Sequence, residues 1–279
     1  MSTQGSKNSA SALVKGASEL LGEPFLSSQS LIGGDLSEVV RVRLRSGKVV
    51  VAKSGPYPDR EGRMLRRLAD AGAQVPLPIA SNYEVLVLED LGAATRSTDQ
   101  SWRALGINLR ALHAAGQGDR YGWDEDYAFG SVEIHNGWSE IWADFWFEKR
   151  LTAGINSLPI EVARRLGKLE TRIREILPDN PSPSLLHGDL WSGNVHFAEN
   201  GEPYLIDPAC YVGHAEVDLA MLALFGSPPK AFLNAYGPLE EGWERRRDAY
   251  QLWPALVHLR LFGSGYRALV ARLATALEQ

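Results

Sequence analysis

The stretch Leu185-Leu186-His187-Gly188-Asp189-Leu190-Trp191-Ser192-Gly193-Asn194-Val195, followed by Tyr204-Leu205-Ile206-Asp207-Pro208-Ala209, decides the reading of this chain. It sets an Asp, an Asn five positions on, and a second Asp capping an apolar strand. Singly, Asp and Asn beside Gly are ordinary turn residues. Together they form the oxygen-bearing set that transfer of a phosphoryl group to an alcohol demands. One carboxylate orients the hydroxyl and accepts its proton, and hard oxygen ligands hold the Mg²⁺ that offsets polyphosphate charge. Asp189 fits the first role, and Asn194 with Asp207 the second.

Working outward, this set resembles the catalytic loop and metal-binding Asp of protein-kinase-like phosphotransferases, which makes a demand on the first ninety or so residues. A Gly turn must cover the phosphates, a strand Lys must hold them, and a helix Glu must hold the Lys. Ile32-Gly33-Gly34-Asp35-Leu36-Ser37-Glu38 supplies the turn. Val40, Val42 and Leu44 then alternate with Arg41, Arg43 and Arg45, the chain turns at Ser46-Gly47-Lys48, and Val49-Val50-Val51-Ala52-Lys53 completes a β-hairpin. Lys53 ends its second strand, and Glu61 lies on a helix predicted to begin near Asp59, with Met64, Leu65 and Leu68 on one face. Alone, Lys53 would be expected to face solvent. Pro76 and Pro78 break the chain, and Glu84-Val85-Leu86-Val87-Leu88 reads as a buried strand.

Beyond Gly92 the pattern changes to amphipathic stretches near 99–114, 138–150, 160–177 and 216–225, with two more after Glu241. The helical run is interrupted at 185–207, reached through the linker 178–184. Leu13, Val14, Ala17, Leu20 and Leu21 mark a short first helix behind a polar tail over 1–9. Trp138, Trp142 and Trp146 recur every four residues, which places them on one helix face, packed in the core or lining an acceptor pocket. Asp124, Glu125, Asp126 and Glu133 read as solvated surface, and Cys210 as a small buried residue.

Composition bounds these readings. The chain has 279 residues, 44% apolar and 23% charged, as an ordinary globular protein has. None of its eight Trp precedes Ser101, so its two parts are built differently. With 29 basic against 34 acidic side chains and no basic run, nucleic acid is not an expected partner. One cysteine forms no intrachain disulfide, and no leader-like or membrane-spanning run is present, so the cytoplasm is the expected location and no membrane partner is expected. The P-loop, dinucleotide-fold, nucleophile-elbow and H-E-x-x-H signatures are absent, and six scattered His offer no metal cluster.

His187-Gly188-Asp189-Leu190-Trp191-Ser192-Gly193-Asn194, together with Ile206-Asp207-Pro208-Ala209-Cys210-Tyr211-Val212-Gly213-His214-Ala215-Glu216-Val217-Asp218-Leu219-Ala220-Met221, strongly resembles the fructosamine kinase (ketosamine kinase) family, itself related to aminoglycoside and choline phosphotransferases. The likeness runs on through Phe225, Tyr236, Tyr250, His258 and Phe262, and upstream through Asn136-Gly137-Trp138 and Arg150. It implies an α+β, protein-kinase-like two-lobed fold, with a small β-rich N-terminal lobe over 1–89 and a larger, mainly helical C-terminal lobe over 90–279. It implies ATP and Mg²⁺ as cofactors, and transfer of the γ-phosphoryl to a sugar hydroxyl of a glycated amine of fructosamine or ribulosamine type, free or on a protein side chain. Carried over by position, Asp189 would be the base, Asn194 and Asp207 the metal ligands, and Lys53 with Glu61 the nucleotide-phosphate pair. Gly33, Gly34 and Ser37 would form the phosphate turn, Leu88-Glu89-Asp90-Leu91 the hinge that meets adenine, and Trp191 a wall of the sugar site. Asp218 would brace the catalytic loop. Some relatives carry a redox-active Cys in the Gly turn, where this chain has Leu36-Ser37. Two other readings stay open: a kinase of an aminoglycoside, amino sugar or other hydroxylated amine, and a nucleotide-binding pseudokinase acting as a binding module.

Overall fold

The computed structural model describes residues 3–31 and 37–279. The N-terminal region comprises α1 (Thr3–Leu21), β1 (Phe25–Ser30), β2 (Val39–Leu44), β3 (Val49–Lys53), α2 (Pro58–Asp70), β4 (Pro78–Ser81) and β5 (Leu86–Glu89). Its five strands form one antiparallel sheet in the order β1-β2-β3-β5-β4. The hairpin forms as its alternation predicts. Register Val40↔Ala52 and Val42↔Val50 puts these four residues on one face, packed against Leu13, Val14 and Ala17 of α1. The turn closes because Gly47 adopts φ +90°, a conformation open to glycine, while Leu44 N donates to Lys48 O at 2.8 Å. Side chains alternate across a strand, so Val51 and Lys53 point to the other face, toward α2. That helix starts at Pro58, whose missing N–H costs nothing in the first turn, and buries Met64, Leu65 and Leu68.

The remainder is mainly helical. It comprises α3 (Asp99–Ala114), β6 (Tyr121–Trp123), β7 (Tyr127–Phe129), β8 (Val132–Ile134), β9 (Gly137–Ser139), α4 (Trp142–Phe145), α5 (Ile160–Ile176), β10 (Pro183–Leu186), β11 (Val195–Phe197), β12 (Pro203–Leu205), β13 (Tyr211–His214), α6 (Glu216–Leu222), α7 (Lys230–Tyr236), α8 (Trp243–Phe262) and α9 (Arg267–Leu277). A π-helical turn, Trp146–Thr152, continues α4. One core runs from Met64, Leu65 and Leu86 through Leu190, Cys210 and Trp142 to Tyr250 and Leu273, so the inner face of α2 and β5 shares its packing with the helices. Among the described residues no helix is long and apolar enough to cross a membrane.

Several expectations change. The first helix reaches back to Thr3, through the stretch expected to be a polar tail. Trp138 is not on a helix with Trp142 and Trp146: it lies in β9, paired opposite Gly122, and its indole donates to Asp124 at 2.8 Å. Gly137 at φ +90° breaks helical continuity just before it. Trp142 and Trp146 are fully buried in the core, against Tyr250 at ring distances of 6.1 and 5.0 Å, so neither lines a pocket. The helix expected over 216–225 stops at Leu222.

Candidate active site

Asp189 sits in the loop between β10 and the short turn Ser192–Asn194, and three features fix that loop. The carboxylate of Asp218, fully buried on α6, accepts from His187 N at 2.8 Å and Gly188 N at 2.9 Å, and contacts His113 Nε2 at 3.1 Å. Burial would push this carboxyl up, but the hydrogen bonds and the imidazole beside it hold it below the ordinary value. Second, His187 Nε2 reaches Ile206 O at 2.9 Å while Asp189 N donates to Nδ1 at 3.3 Å, a pattern that assigns the ring proton to Nε2. Burial lowers the pKa of this histidine and favours the neutral ring. Third, Gly188 has φ +82°, and a Cβ there would stand 1.9 Å from Ala209 O.

Asn194 turns its amide toward Asp189, donating Nδ2 to Asp189 O at 2.8 Å and to Oδ2 at 3.0 Å. Asp189 is half-buried, with one side open to the cleft. Its pKa is pushed up to about 7, first by burial and then by the charges of Asp207 and Asp218, against the Asn194 hydrogen bond and Lys53. The carboxyl is thus poised to exchange a proton near neutrality.

Across the cleft, Lys53 is 4% exposed rather than solvent-facing, and Glu61 is 2% exposed. Lys53 Nζ lies 2.6 Å from Glu61 Oε1 and 2.7 Å from Asp207 Oδ1. Burial alone would lower the ammonium pKa, but the two carboxylates raise it above its ordinary value; Glu61 is raised by burial. Asp207 has φ +58°, the left-handed region that Asp tolerates better than most side chains, and Ile206 N bonds to Asn194 O at 3.0 Å just before it. Asn194 Oδ1 and Asp207 Oδ2 accept no hydrogen bond from the described residues. These free oxygens suit a hard divalent cation such as Mg²⁺.

The cleft, about 340 Å³, is lined by Ser37, Lys53, Asp189, Asn194 and Asp207 at one end. Glu61 stands behind Lys53. Gly33 and Gly34 lie outside the described residues. Residues 88–91 are absent from the cleft lining: Leu88 packs in the core, Glu89 N bonds to Leu77 O, and the Asp90 carboxylate is held by Arg41 at 2.8 Å. Trp191 is 38% exposed and opens the other end, where its ring meets Phe225 at 6.2 Å. Phe225 then packs on His258, and His258 on Phe262 and Tyr266. Motifs confined to a single loop do not reveal this wall. Its signal was helical spacing in α8, where Tyr250, Trp253, Pro254, Val257, His258, Leu261 and Phe262 recur at three- and four-residue steps and all line the cleft.

The acidic loop is not simply solvated. Glu125 receives Arg63 Nε and Nη2 at 2.9 and 2.8 Å, and Asp126 accepts from Asn136 N at 2.7 Å. Cys210 is buried as expected, and burial pushes its thiol well above the usual range.

The chain is similar to known proteins in both sequence and fold. A family model described as fructosamine kinase matches residues 16–279. A "Probable ketoamine kinase" of Synechocystis sp. is 40% identical over 209 residues, covering 70% of this chain and 69% of that protein. The chloroplastic protein-ribulosamine 3-kinase of Arabidopsis thaliana is 38% identical over 209 residues, covering 69% of this chain and 60% of that protein. A crystal structure described as a "putative fructosamine-3-kinase" from Thermobifida fusca superposes with a TM-score of 0.80 at 29% identity, covering 96% of this chain and 98% of that one. A choline kinase from Streptococcus pneumoniae, at 17% identity, TM-score 0.64 and coverage of 96% and 98%, shares the fold.

Proposed function

This chain belongs to the fructosamine kinase family, and from that premise we propose that it transfers the γ-phosphoryl group of ATP to a sugar hydroxyl of a glycated amine, of fructosamine or ribulosamine type. The observation that carries the reading is the placing of Asp189. Its carboxyl opens onto a cleft with the Lys53–Asp207 pair at one end and the aromatic wall of Trp191, Phe225 and His258 at the other.

On this reading the residues divide the work as follows. Ionised Asp189 accepts the proton of the sugar hydroxyl as that oxygen bonds to the γ-phosphorus and ADP leaves. Asn194 keeps the accepting carboxylate oriented, and Asp218 keeps the loop in place from behind. Lys53, held by Glu61, meets the nucleotide phosphates, with Gly33, Gly34 and Ser37 forming the turn over them and Leu88-Glu89-Asp90-Leu91 the hinge toward adenine. Asn194 and Asp207 would hold Mg²⁺, which supplies charge neutralisation to the polyphosphate when bound. The chain divides at that hinge into a nucleotide-gripping lobe over 1–89 and a catalytic lobe over 90–279. A reducing cytoplasm suits its single buried thiol.

The wall also favours a glycated amine over an aminoglycoside. Aromatic faces suit the C–H face of a sugar and a single amine. Apart from Asp189 and Asp207, no carboxylate is among the described residues lining the cleft, so a polycation would find no ion-pair partners at the distal end. The paired Lys53, Glu61 and Asp207 speak against a pseudokinase. The test is an acceptor panel with Mg-ATP: fructosyl-lysine, ribulosyl-lysine, free amino sugars and aminoglycosides. Phosphorylated glycated lysine is expected, and product from only the last two groups would overturn the reading.

A further inference from the structure

The hairpin of β7 and β8 pairs with no other strand among the described residues. Tyr127 and Phe129 are two positions apart on β7 and so share one face. Both line the cleft, with rings 6.4 Å apart and nearly perpendicular. The Tyr127 hydroxyl donates to Glu61 Oε2 at 3.3 Å, whereas Lys53 occupies Oε1. Phe129 instead meets Trp253, on the aromatic side of the cleft, at 6.1 Å. One short strand therefore touches both the carboxylate that holds Lys53 and the opposite end of the cleft.

The hairpin is also tied to the helix that carries Glu61. Arg63 of α2 makes its two-pronged contact with Glu125, and Arg60 donates to the backbone carbonyl of Asp126, directly before Tyr127. The Asp126 side chain returns to Asn136 N at 2.7 Å and so clamps the far end of the hairpin. With only Lys53 as partner, Glu61 would keep one buried carboxylate oxygen without a donor, a costly state that invites rotation.

We propose that Tyr127 is a positioning residue that fixes Glu61 from the acceptor side of the cleft, and that β7 thereby couples occupancy of the acceptor pocket to the grip of Lys53 on nucleotide. This rests on the kinase reading of the cleft. Coupling of this kind is reciprocal: whatever factor the acceptor imposes on nucleotide affinity, the nucleotide imposes on acceptor affinity.

The test uses the full chain, with Mg-AMP-PNP as the nucleotide probe, alone and with fructosyl-lysine. Tyr127→Phe removes only the hydroxyl. It is expected to raise the Kd for Mg-AMP-PNP by about 3- to 10-fold, the net scale of one ordinary hydrogen bond, as suits a contact of 3.3 Å. The rise should show in KM for ATP more than in kcat. In a Glu61→Gln background the same change should add little, because the two side chains act as a unit. In the wild type fructosyl-lysine should tighten Mg-AMP-PNP, and in Tyr127→Phe that factor should fall toward one. An unchanged Kd, or a Tyr127→Phe effect that multiplies fully onto Glu61→Gln, would overturn the positioning role. Coupling that persists undiminished would overturn the link to the acceptor. Should the phenylalanine variant unfold, Phe129→Leu reads the same coupling from the other end of the strand, and an undiminished factor there overturns it. A wild type that binds Mg-AMP-PNP but leaves fructosyl-lysine unphosphorylated removes the acceptor assignment alone, because the nucleotide measurement stands without it. A wild type that binds no nucleotide removes the kinase reading and this inference together.

Discussion

Lys53 and Asp207, 154 positions apart in the chain, are joined by a 2.7 Å ion pair across the cleft. Because Glu61 holds the same ammonium at 2.6 Å, one cation is shared by two carboxylates, one of them almost wholly buried. Lys53→Met would leave Glu61 buried without a counter-charge. Loss of about 3–5 kcal/mol is expected, the scale of an uncompensated buried charge, read as a lower urea midpoint at unchanged m-value. A midpoint equal to the wild type would show that the pair does not hold the sheet to the helical region.

Asp207 is the one described non-glycine residue with positive φ, so its side chain and its backbone can be tested apart. Asp207→Asn keeps a residue that tolerates the left-handed region, whereas Asp207→Ala does not tolerate it as well. Both variants are expected to weaken Mg-AMP-PNP binding, and chelation of Mg²⁺ by EDTA to abolish wild-type turnover. Only the alanine variant should add backbone strain, of the order of 1 kcal/mol. Calorimetry of nucleotide binding beside thermal unfolding separates the two effects; normal Mg-AMP-PNP binding by Asp207→Asn would remove the metal role.

The pH behaviour follows from Asp189, whose pKa is pushed up to about 7. Its ionised form accepts the proton, so kcat/KM should climb as pH rises through about 7 and level off above. The sign for stability is opposite. A carboxyl whose folded pKa exceeds its unfolded value contributes stability below the unfolded pKa, and that contribution is lost as pH rises through the folded one. Asp189→Asn is neutral at every pH. In EDTA it should therefore be more stable than the wild type at pH 8, by roughly 1–2 kcal/mol once the cleft's solvent access is allowed for, and gain nothing at about pH 4. A difference independent of pH would contradict the raised pKa.

Asp218 and Gly188 act on the same loop by different means. Asp218→Asn exchanges an acceptor-only group for one that presents an N–H to the backbone donors of His187 and Gly188. Gly188→Ala drives a methyl to within 1.9 Å of Ala209 O. Each should cost about 2–4 kcal/mol and reduce turnover with it. Denaturant unfolding together with initial rates checks this; a stable Gly188→Ala variant of normal activity would mean the loop can move aside.

How much of this was legible in the sequence depends on the range of the signal. The hairpin over 39–53 and α3 over Asp99–Ala114 were readable because period two and period 3.6 are local patterns. The edge strand Phe25–Ser30 is exposed along its length, with Phe25 and Leu26 followed by four polar residues, so it carries no alternation to read; its partner β2 defines it. Helix α7 was missed because it spans only Lys230–Tyr236 between Pro229 and Gly237, and it exists to pack Phe232 and Tyr236 on α3 at Gly106, where a Cβ would come within 2.7 Å of Phe232 O. The four-residue recurrence of Trp138, Trp142 and Trp146 misled, since Gly137 and pairing with β6 put the first of them in a strand. At the site, Asp189, Asn194 and Asp207 stood out in one motif. Burial of Lys53 and the Tyr127 contact with Glu61 are products of tertiary packing that no local spacing announces, whereas His258 and Phe262 of the wall recur at helical spacing in α8 and only packing decides that this face meets Phe225 and the cleft.

The most direct measurement of the central claim is single-turnover transfer from Mg-ATP to fructosyl-lysine by wild type and by Asp189→Asn, with Mg-AMP-PNP affinity measured on both. Wild type is expected to form ADP and phosphorylated fructosyl-lysine one for one. The asparagine variant should bind nucleotide nearly as well while transferring about 10²- to 10⁴-fold more slowly, the scale of a positioned general base. Transfer by Asp189→Asn at the wild-type rate, or a wild type that hydrolyses or retains ATP without phosphorylating the sugar, would contradict it.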